Sequence, residues 1–362
     1  MPKRRQFLKT AAVVAVTATG ALAIPNFILK KKKQKLGVAL VGLGYYSTDL
    51  LAPALQLTRH CELKGIVTGS PWKIPQWQKR YGIPDGNVYN YQNMHTIADN
   101  PDIDVVYIVL PTSMHSEYSI IAANAGKHIW CEKPMARTEA ECQAIIDACR
   151  KNKVKLTIGY RMQHEPNTRT VMTFAESRPF GKILSVTAEA GYYDGRSDHW
   201  KQKKEMGGGA MYDMGVYPLN ATRYATGMEP IAVLSANHST KRPEIYTEVD
   251  ETTEFILQFP EGILARGATS LGKGFNKLQV DCANGWYNLQ PMQSYNGVRG
   301  ETSTGERLDK TIANQQASQM DNDAIAIKEN QDVIVPGEEG MLDIRIVEAI
   351  YKSAATGSAI QL

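Results

Sequence analysis

Paired cysteines are missing from this chain. Its five cysteines, Cys61, Cys131, Cys142, Cys149 and Cys282, form no C-x-x-C spacing, which argues against a disulfide framework and against a zinc finger or ribbon. No set of His, Cys and carboxylate residues has metal-ligand spacing either, so no metal is expected. Beyond residue 35 there is no excess of base. The formal charge of +4 over 362 residues conceals nine Lys or Arg and no acid within residues 1–35, and the rest of the chain is net acidic, unlike a nucleic-acid partner. No apolar run reaches the roughly twenty residues of a membrane span. Internal repeats and low-complexity segments are also absent. What remains is a chain with 43% hydrophobic residues, long enough to bury a large core and to form two domains.

The basic N-terminus has its own reading. KRRQFLK at 3–9 precedes an apolar stretch from Thr10 to Ile24 that ends in Ala21-Leu22-Ala23. This resembles a twin-arginine export signal with a small-residue cleavage site, with Lys3 where Ser or Thr normally precedes the arginine pair. The implied partner is the twin-arginine export machinery and the implied location is the periplasm or another exported compartment. An uncleaved membrane anchor is the alternative, although about fifteen apolar residues fall short of a span. Lys30 to Lys33 and Lys35 then form a solvated linker, so residues 1–35 are set apart as signal and linker.

From Leu36 onward, short β-rich runs alternate with helical stretches. The segments at 36–44, 61–69, 105–111, 128–134 and 155–161 read as buried strands, with helices at 116–125 and 138–151 between them, the pattern of parallel βαβ units. The expected fold class is α/β: an N-terminal doubly wound, Rossmann-type parallel sheet over 36–160. It is followed over 161–362 by an α+β domain with a large, mainly antiparallel sheet. The strands of that sheet are read at 182–192, 231–239, 252–259, 262–270 and 277–290, with helices at 165–177, 316–330 and 341–355. Such a sheet must cover its apolar face with helices or a second subunit, and a homo-oligomer through the C-terminal sheet is expected.

Gly42-Leu43-Gly44-Tyr45-Tyr46-Ser47 follows the first strand and opens a helix, so its backbone amides can receive a pyrophosphate. Ser47 stands where the fingerprint usually has its third small residue. After the second strand the chain reads Thr68-Gly69-Ser70-Pro71-Trp72-Lys73, with no acid. A carboxylate there would bond ribose hydroxyls and repel a 2′-phosphate, whereas Ser70 and Lys73 can bind that phosphate. The expected cofactor is NADP.

In GGGAMYDMGVYPLNATRY at 207–224, Asp213 lies four residues before Tyr217, so both side chains share a helix face and one substrate. EKP at 132–134, GYR at 159–161, GGGAMYDMG at 207–215 and the strand–helix alternation together resemble the Gfo/Idh/MocA oxidoreductases, and within that family PLNATRY, PGEEGMLDIRIVEAIY and the export signal are similar to the glucose–fructose oxidoreductases. The resemblance implies a sugar oxidoreductase in which Tyr217 is the acid/base, Lys133 lowers its pKa and bonds the substrate hydroxyl, and Asp213 orients the sugar. It further implies cofactor contacts from Leu110, Pro111, Ser113 and His115, from Glu132 and Lys133, and from Arg161, Trp200 and Lys201, with Tyr287 near the sugar. The implied reaction takes hydride from C1 of an aldose and passes it to a second sugar. Open alternatives are a simple NAD(P)-dependent sugar dehydrogenase, a glycosidase that borrows NAD for transient oxidation, and a non-catalytic, cofactor-bound sugar sensor.

Overall fold

The computed structural model describes residues 33–362, so the stretch read as an export signal lies outside the described residues. Six strands, β1 (Leu36–Val41), β2 (Cys61–Val67), β3 (Val88–Tyr89), β4 (Val105–Ile108), β5 (His128–Cys131) and β6 (Leu156–Ile158), pair in the order β3-β2-β1-β4-β5-β6. Every pairing is parallel. β1 and β4 are buried at every position, because helices cover both faces of a parallel sheet and leave no side for polar residues. One core packs α1 (Ala52–Leu55) and α2 (Ile74–Tyr81) against Leu36, Val38 and Leu40. The other packs α3 (His115–Asn124) and α4 (Glu139–Asn152) against Ala39, Val41 and Val106. The strand order reverses between β1 and β4, which opens a crevice at their carboxyl ends.

The chain leaves this sheet through α5 (Pro166–Ser177), whose first turn is capped by Glu165 accepting from the Thr168 N–H at 2.7 Å. It then builds β7 (Ile183–Tyr193), α6 (Val216–Thr226), β8 (Ala232–Ser239), β9 (Thr252–Gln258), β10 (Leu264–Ser270), β11 (Gly272–Cys282) and β12 (Gly285–Leu289). A small hairpin, β13 (Gly300–Glu301) and β14 (Arg307–Leu308), precedes α7 (Gln315–Lys328), α8 (Gly337–Thr356) and β15 (Ile360–Gln361). The second sheet runs β12-β11-β7-β10-β9-β8-β15 and is antiparallel except between β7 and β10.

Val186, Ala188 and Ala190 of β7 point inward while Thr187 and Glu189 point outward, the period-two alternation of a sheet with one buried face. The inward face is covered from within by α5, α6 and α8 through Val171, Leu219, Ala225, Val347 and Ile350. The burial argument for a partner subunit therefore does not arise. The outward face mixes polar and apolar side chains, with Thr187, Glu189, Glu254, Ile256 and Arg266 lining a shallow groove of about 380 Å³.

The packing also departs from a division at residue 160. Ala317, Met320 and Ala324 of α7 return to the first sheet beside Leu36, Leu51 and Trp130, and the Asp321 carboxylate accepts from the Arg59 and His60 N–H groups. The C-terminal stretch thus supplies one wall of the N-terminal sheet. It also brings in Asp323, 1% exposed, whose carboxyl is pushed well above the usual range by burial, with only the Gln319 and Thr157 side chains opposing. An acid whose folded pKa exceeds its unfolded one stabilises the fold at low pH and loses that contribution as pH rises through the folded value. Asp323→Asn should therefore raise stability at about pH 8 by about 1–3 kcal/mol and by less at about pH 5, read from urea unfolding of both proteins. A constant difference across that range would contradict the assignment.

Candidate active site

The crevice is lined first by the glycine turn. Gly42 sits at φ +89°, and a Cβ there would lie 2.4 Å from the Val109 carbonyl oxygen, so the turn admits no side chain. A Cβ on Gly44 would meet nothing within 4 Å, which leaves backbone open to a ligand. Ser47, fully buried, donates to the Gly42 carbonyl at 2.5 Å and so braces the turn from the third fingerprint position. The helix begins as a π-helical turn at Tyr46–Leu51 before α1. Leu43 is buried beneath the turn and Tyr45 is exposed above it.

Lys73 Nζ donates to the Leu43 carbonyl at 2.6 Å, reaching across from the end of β2, while Ser70 is partly exposed beside it. This donor set of open backbone at Gly44, a lysine and a serine fits a phosphorylated dinucleotide. An ammonium retains donors after one bond to a carbonyl.

The loop after β4 contributes structure more than contact. Leu110 and Pro111 reach the crevice, but His115 is 1% exposed, its Nδ1 2.9 Å from the Pro134 carbonyl and its Nε2 2.8 Å from that of Leu110. Burial lowers its pKa. His115 is a strut joining this loop to the Glu132–Pro134 loop. Ser113 faces the Met206 sulfur at 3.7 Å. Glu132, also buried, accepts from the Tyr107 hydroxyl at 2.7 Å and occupies the space a Gly159 side chain would need. Burial raises its pKa.

The chemical groups meet where β5, β6 and α6 end or begin. Asp213 lies on a π-helical turn, Met211–Gly215, that runs into α6, and Tyr217 is the second residue of α6. Arg161 follows β6 and is 2% exposed; its Nη1 donates to the Tyr217 oxygen at 2.9 Å. Lys133 Nζ lies 4.4 Å from the centre of the Tyr217 ring and donates to the main-chain carbonyl of Asp213 at 2.7 Å. The direct partner of the phenol is therefore Arg161, and Lys133 covers its ring. Burial acts to raise the Tyr217 pKa, but the Arg161 and Lys133 charges outweigh it and hold the phenol below its ordinary value.

The Asp213 carboxylate is held on both oxygens, by Lys201 Nζ at 2.7 Å and by the Tyr192 hydroxyl at 2.9 Å. Burial would raise it, yet Lys201 and Lys133 keep it below the usual carboxylate range. Lys201 thus serves Asp213, and Trp200 lies against it, 5.9 Å from the ammonium to the ring centre. Each carboxylate oxygen keeps acceptor capacity for a further hydroxyl.

One expected site residue is misplaced. Tyr287 is 1% exposed and packs edge-on against Phe174 at 5.2 Å under α5, because its register in β12 turns it to the covered face of the sheet. Sequence reasoning missed Tyr192, Gln293 and Tyr295. Gln293 accepts from Arg161 at 3.3 Å, and the Arg161 guanidinium lies 4.7 Å from the centre of the Tyr295 ring. Tyr192 ends a strand that was legible, but nothing in the local pattern marks its hydroxyl as a partner of Asp213.

Comparisons with known proteins give the same architecture. The model of the GFO/IDH/MocA oxidoreductase family with an NAD-binding Rossmann fold matches residues 36–160, and that of the GFO/IDH/MocA C-terminal domain matches residues 168–288. An NADP(+)-dependent D-xylose 1-dehydrogenase from Haloarcula marismortui is 27% identical over 335 residues, covering 90% of this chain and 92% of the relative. A levoglucosan dehydrogenase from Pseudarthrobacter phenanthrenivorans is 31% identical over 231 residues, covering 58% of this chain and 56% of its own. The crystal structure of an aldose–aldose oxidoreductase from Caulobacter crescentus, complexed with glycerol, superimposes with a TM-score of 0.87 at 36% identity, covering 91% of this chain and all of that one.

The glycine turn separates steric need from ligand contact. Gly42→Ala should destabilise the fold by about 1–3 kcal/mol, because it forces a side chain into a positive-φ site against a carbonyl. Gly44→Ala should change stability by less than about 0.5 kcal/mol while weakening dinucleotide binding. Thermal unfolding and nucleotide titration of both variants check this; equal destabilisation would refute it.

Proposed function

The chain belongs to the Gfo/Idh/MocA oxidoreductase family, and on that premise we propose that it is an NADP-dependent sugar oxidoreductase that oxidises C1 of an aldose and passes the reducing equivalent to a second sugar. The observation that carries the reading is the Tyr217 phenol, set at the mouth of the crevice with Arg161 on its oxygen and Lys133 on its ring. The similarity to an aldose–aldose oxidoreductase along nearly the whole chain supports the same class.

NADP, when bound, would supply the hydride acceptor, and the Gly42–Tyr46 turn, Ser70 and Lys73 would hold it. The residues of this chain do the rest. Tyr217, as phenolate, takes the proton of the C1 hydroxyl while the C1 hydrogen leaves with its electron pair, and the aldose becomes a lactone. Lys133 neutralises charge beside the reacting oxygen. Asp213, locked by Lys201 and Tyr192, accepts hydroxyls of the ring and fixes which face of C1 is presented. In the return half-reaction the second carbonyl gains hydride, and Tyr217 gives back its proton. One pocket serving two sugars in turn requires ping-pong kinetics. A simple dehydrogenase with exchanging cofactor uses the same groups and differs only in cofactor release.

Absorbance of the purified protein tests this. An aldose alone should produce one stoichiometric rise in reduced nicotinamide, and a second sugar should discharge it without added nucleotide. Tyr217→Phe should slow the rise by roughly 10²–10⁴-fold. Continued turnover that depends on free NADP would make the protein an ordinary dehydrogenase, and a normal rise in Tyr217→Phe would remove Tyr217 from the reaction.

Cofactor choice has a separate test. Lys73→Ala should weaken NADP binding by roughly tenfold to a hundredfold and leave NAD nearly unchanged, since only NADP offers the 2′-phosphate. Equal loss for both nucleotides would confine Lys73 to supporting the Leu43 turn.

A further inference from the structure

Arg161 is a buried guanidinium with no carboxylate within ion-pair distance among the described residues, although it is one of the largest fully buried side chains of the protein. Its contacts are otherwise unusual for a buried cation. Nη1 donates to the Tyr217 oxygen at 2.9 Å, Nη2 donates to the Gln293 side-chain oxygen at 3.3 Å, Nε has no partner, and the Tyr295 ring lies on one flat face. A cation taken out of water requires compensation from a charge or dipole in contact with it. Among these contacts, the group that can become an anion by direct bonding is the Tyr217 phenol. We propose that Arg161 is the positioning residue for Tyr217, fixing its oxygen toward the crevice and holding it in the deprotonated form that accepts the sugar proton, while Lys133 acts on the ring and on the turn that carries Asp213.

The geometry is built to be rigid. Arg161 belongs to a single helical turn, Arg161–His164, and Gln163 of that turn donates to Asn220 of α6 at 3.0 Å and to Glu339 of α8 at 2.9 Å. The turn is thus tied to the helix that carries Tyr217 at two places, by Gln163 to Asn220 and by Arg161 to Tyr217. On the other side Asn276 of β11 holds the Gln293 segment, accepting from the Met292 and Gln293 N–H groups at 2.9 and 3.0 Å. A planar fork can meet the phenol and Gln293 together while stacking on Tyr295. A lysine ammonium at the same place reaches one of them.

Five charged or titratable groups act on the phenol: Arg161 from its turn, Lys133 and Glu132 from the loop after β5, Tyr46 from the glycine-turn helix and Tyr295 from the segment after β12. Of these, Arg161 and Lys133 favour the phenolate and the Glu132 carboxyl opposes it. Tyr46 and Tyr295 are themselves pushed upward, chiefly by burial, which leaves Tyr217 as the phenol of this cluster that ionises first.

The inference rests on Tyr217 being the acid/base of the proposed reaction, but its test does not need turnover. The ultraviolet absorbance of tyrosinate is followed against pH in the folded, cofactor-bound protein. The wild-type curve minus that of Tyr217→Phe isolates one of seventeen tyrosines. The low-pH phase should vanish in Tyr217→Phe, move upward by about one pH unit or more in Arg161→Met, return part of the way in Arg161→Lys, and move less in Lys133→Met. The acid limb of the pH–rate profile should follow the same order. If Arg161→Met fails to fold, Arg161→Lys alone carries the test, with a smaller shift in the same direction. Either Arg161 variant titrating with the wild type, or Arg161→Met shifting no further than Lys133→Met, overturns the proposal. Titration as expected in a protein that no sugar reduces would leave this inference standing and remove the proposed function instead.

Discussion

The bond from the buried Arg161 guanidinium to the Tyr217 phenol is the contact on which the geometry of the site depends. A buried guanidinium is compensated by what meets its donors and flat faces; here Nε has no partner, and the other contacts come from α6 through Tyr217 and from the segment after β12 through Gln293 and Tyr295, both of which meet the turn after β6. All three must converge for the cation to be buried. The same convergence places the phenol at the crevice where the strand order of the first sheet reverses.

A second buried cluster keeps α6 in place. Arg223, 2% exposed, meets Glu229, Glu339 and Asp343, and Asn220 one turn earlier donates to Glu339 and Asp343. Burial raises Asp343 to about 6 in spite of the facing guanidinium, so desolvation outweighs pairing for that carboxyl. Such a cluster contributes more to a unique orientation than to net stability, since replacing buried ions by apolar groups is often neutral or better. That orientation is the useful quantity here. A rotation of α6 would carry Tyr217 off Arg161 and Asp213 off Lys201 together.

The division of labour among the cations follows from reach and from burial. Lys133, at the end of β5, meets the ring face of Tyr217 and a main-chain carbonyl; Lys201, on the short helical turn Trp200–Gln202, meets the Asp213 carboxylate; Arg161, at the end of β6, meets the phenol oxygen. Arg161, Lys133 and Lys201 face the Asp213 carboxylate and the Tyr217 phenol, with the Glu132 carboxyl also acting on that phenol, and these positive groups are the electrostatic setting for removing a proton from a neutral hydroxyl. His115 and Glu132 sit behind this front, and their bonds go to backbone and to Tyr107. They shape the loops that carry the reactive groups.

The parallel sheet, the glycine turn and the four-residue spacing of Asp213 and Tyr217 were legible in the chain because each is a local pattern. Continuous apolar runs, a positive-φ glycine after a strand, and a spacing of four along a helix are settled within a few residues. The family resemblance was legible for the same reason, through short strings with fixed spacing. Which cation touches the phenol was decided only by tertiary structure. Arg161 and Tyr217 are 56 positions apart and Arg161 and Gln293 are 132 apart, and no periodicity carries information over such distances. The placement of Tyr287 in the core and the return of α7 to the first sheet belong to the same class, since strand register and long-range packing settle them by burying apolar surface wherever the finished sheets leave it uncovered.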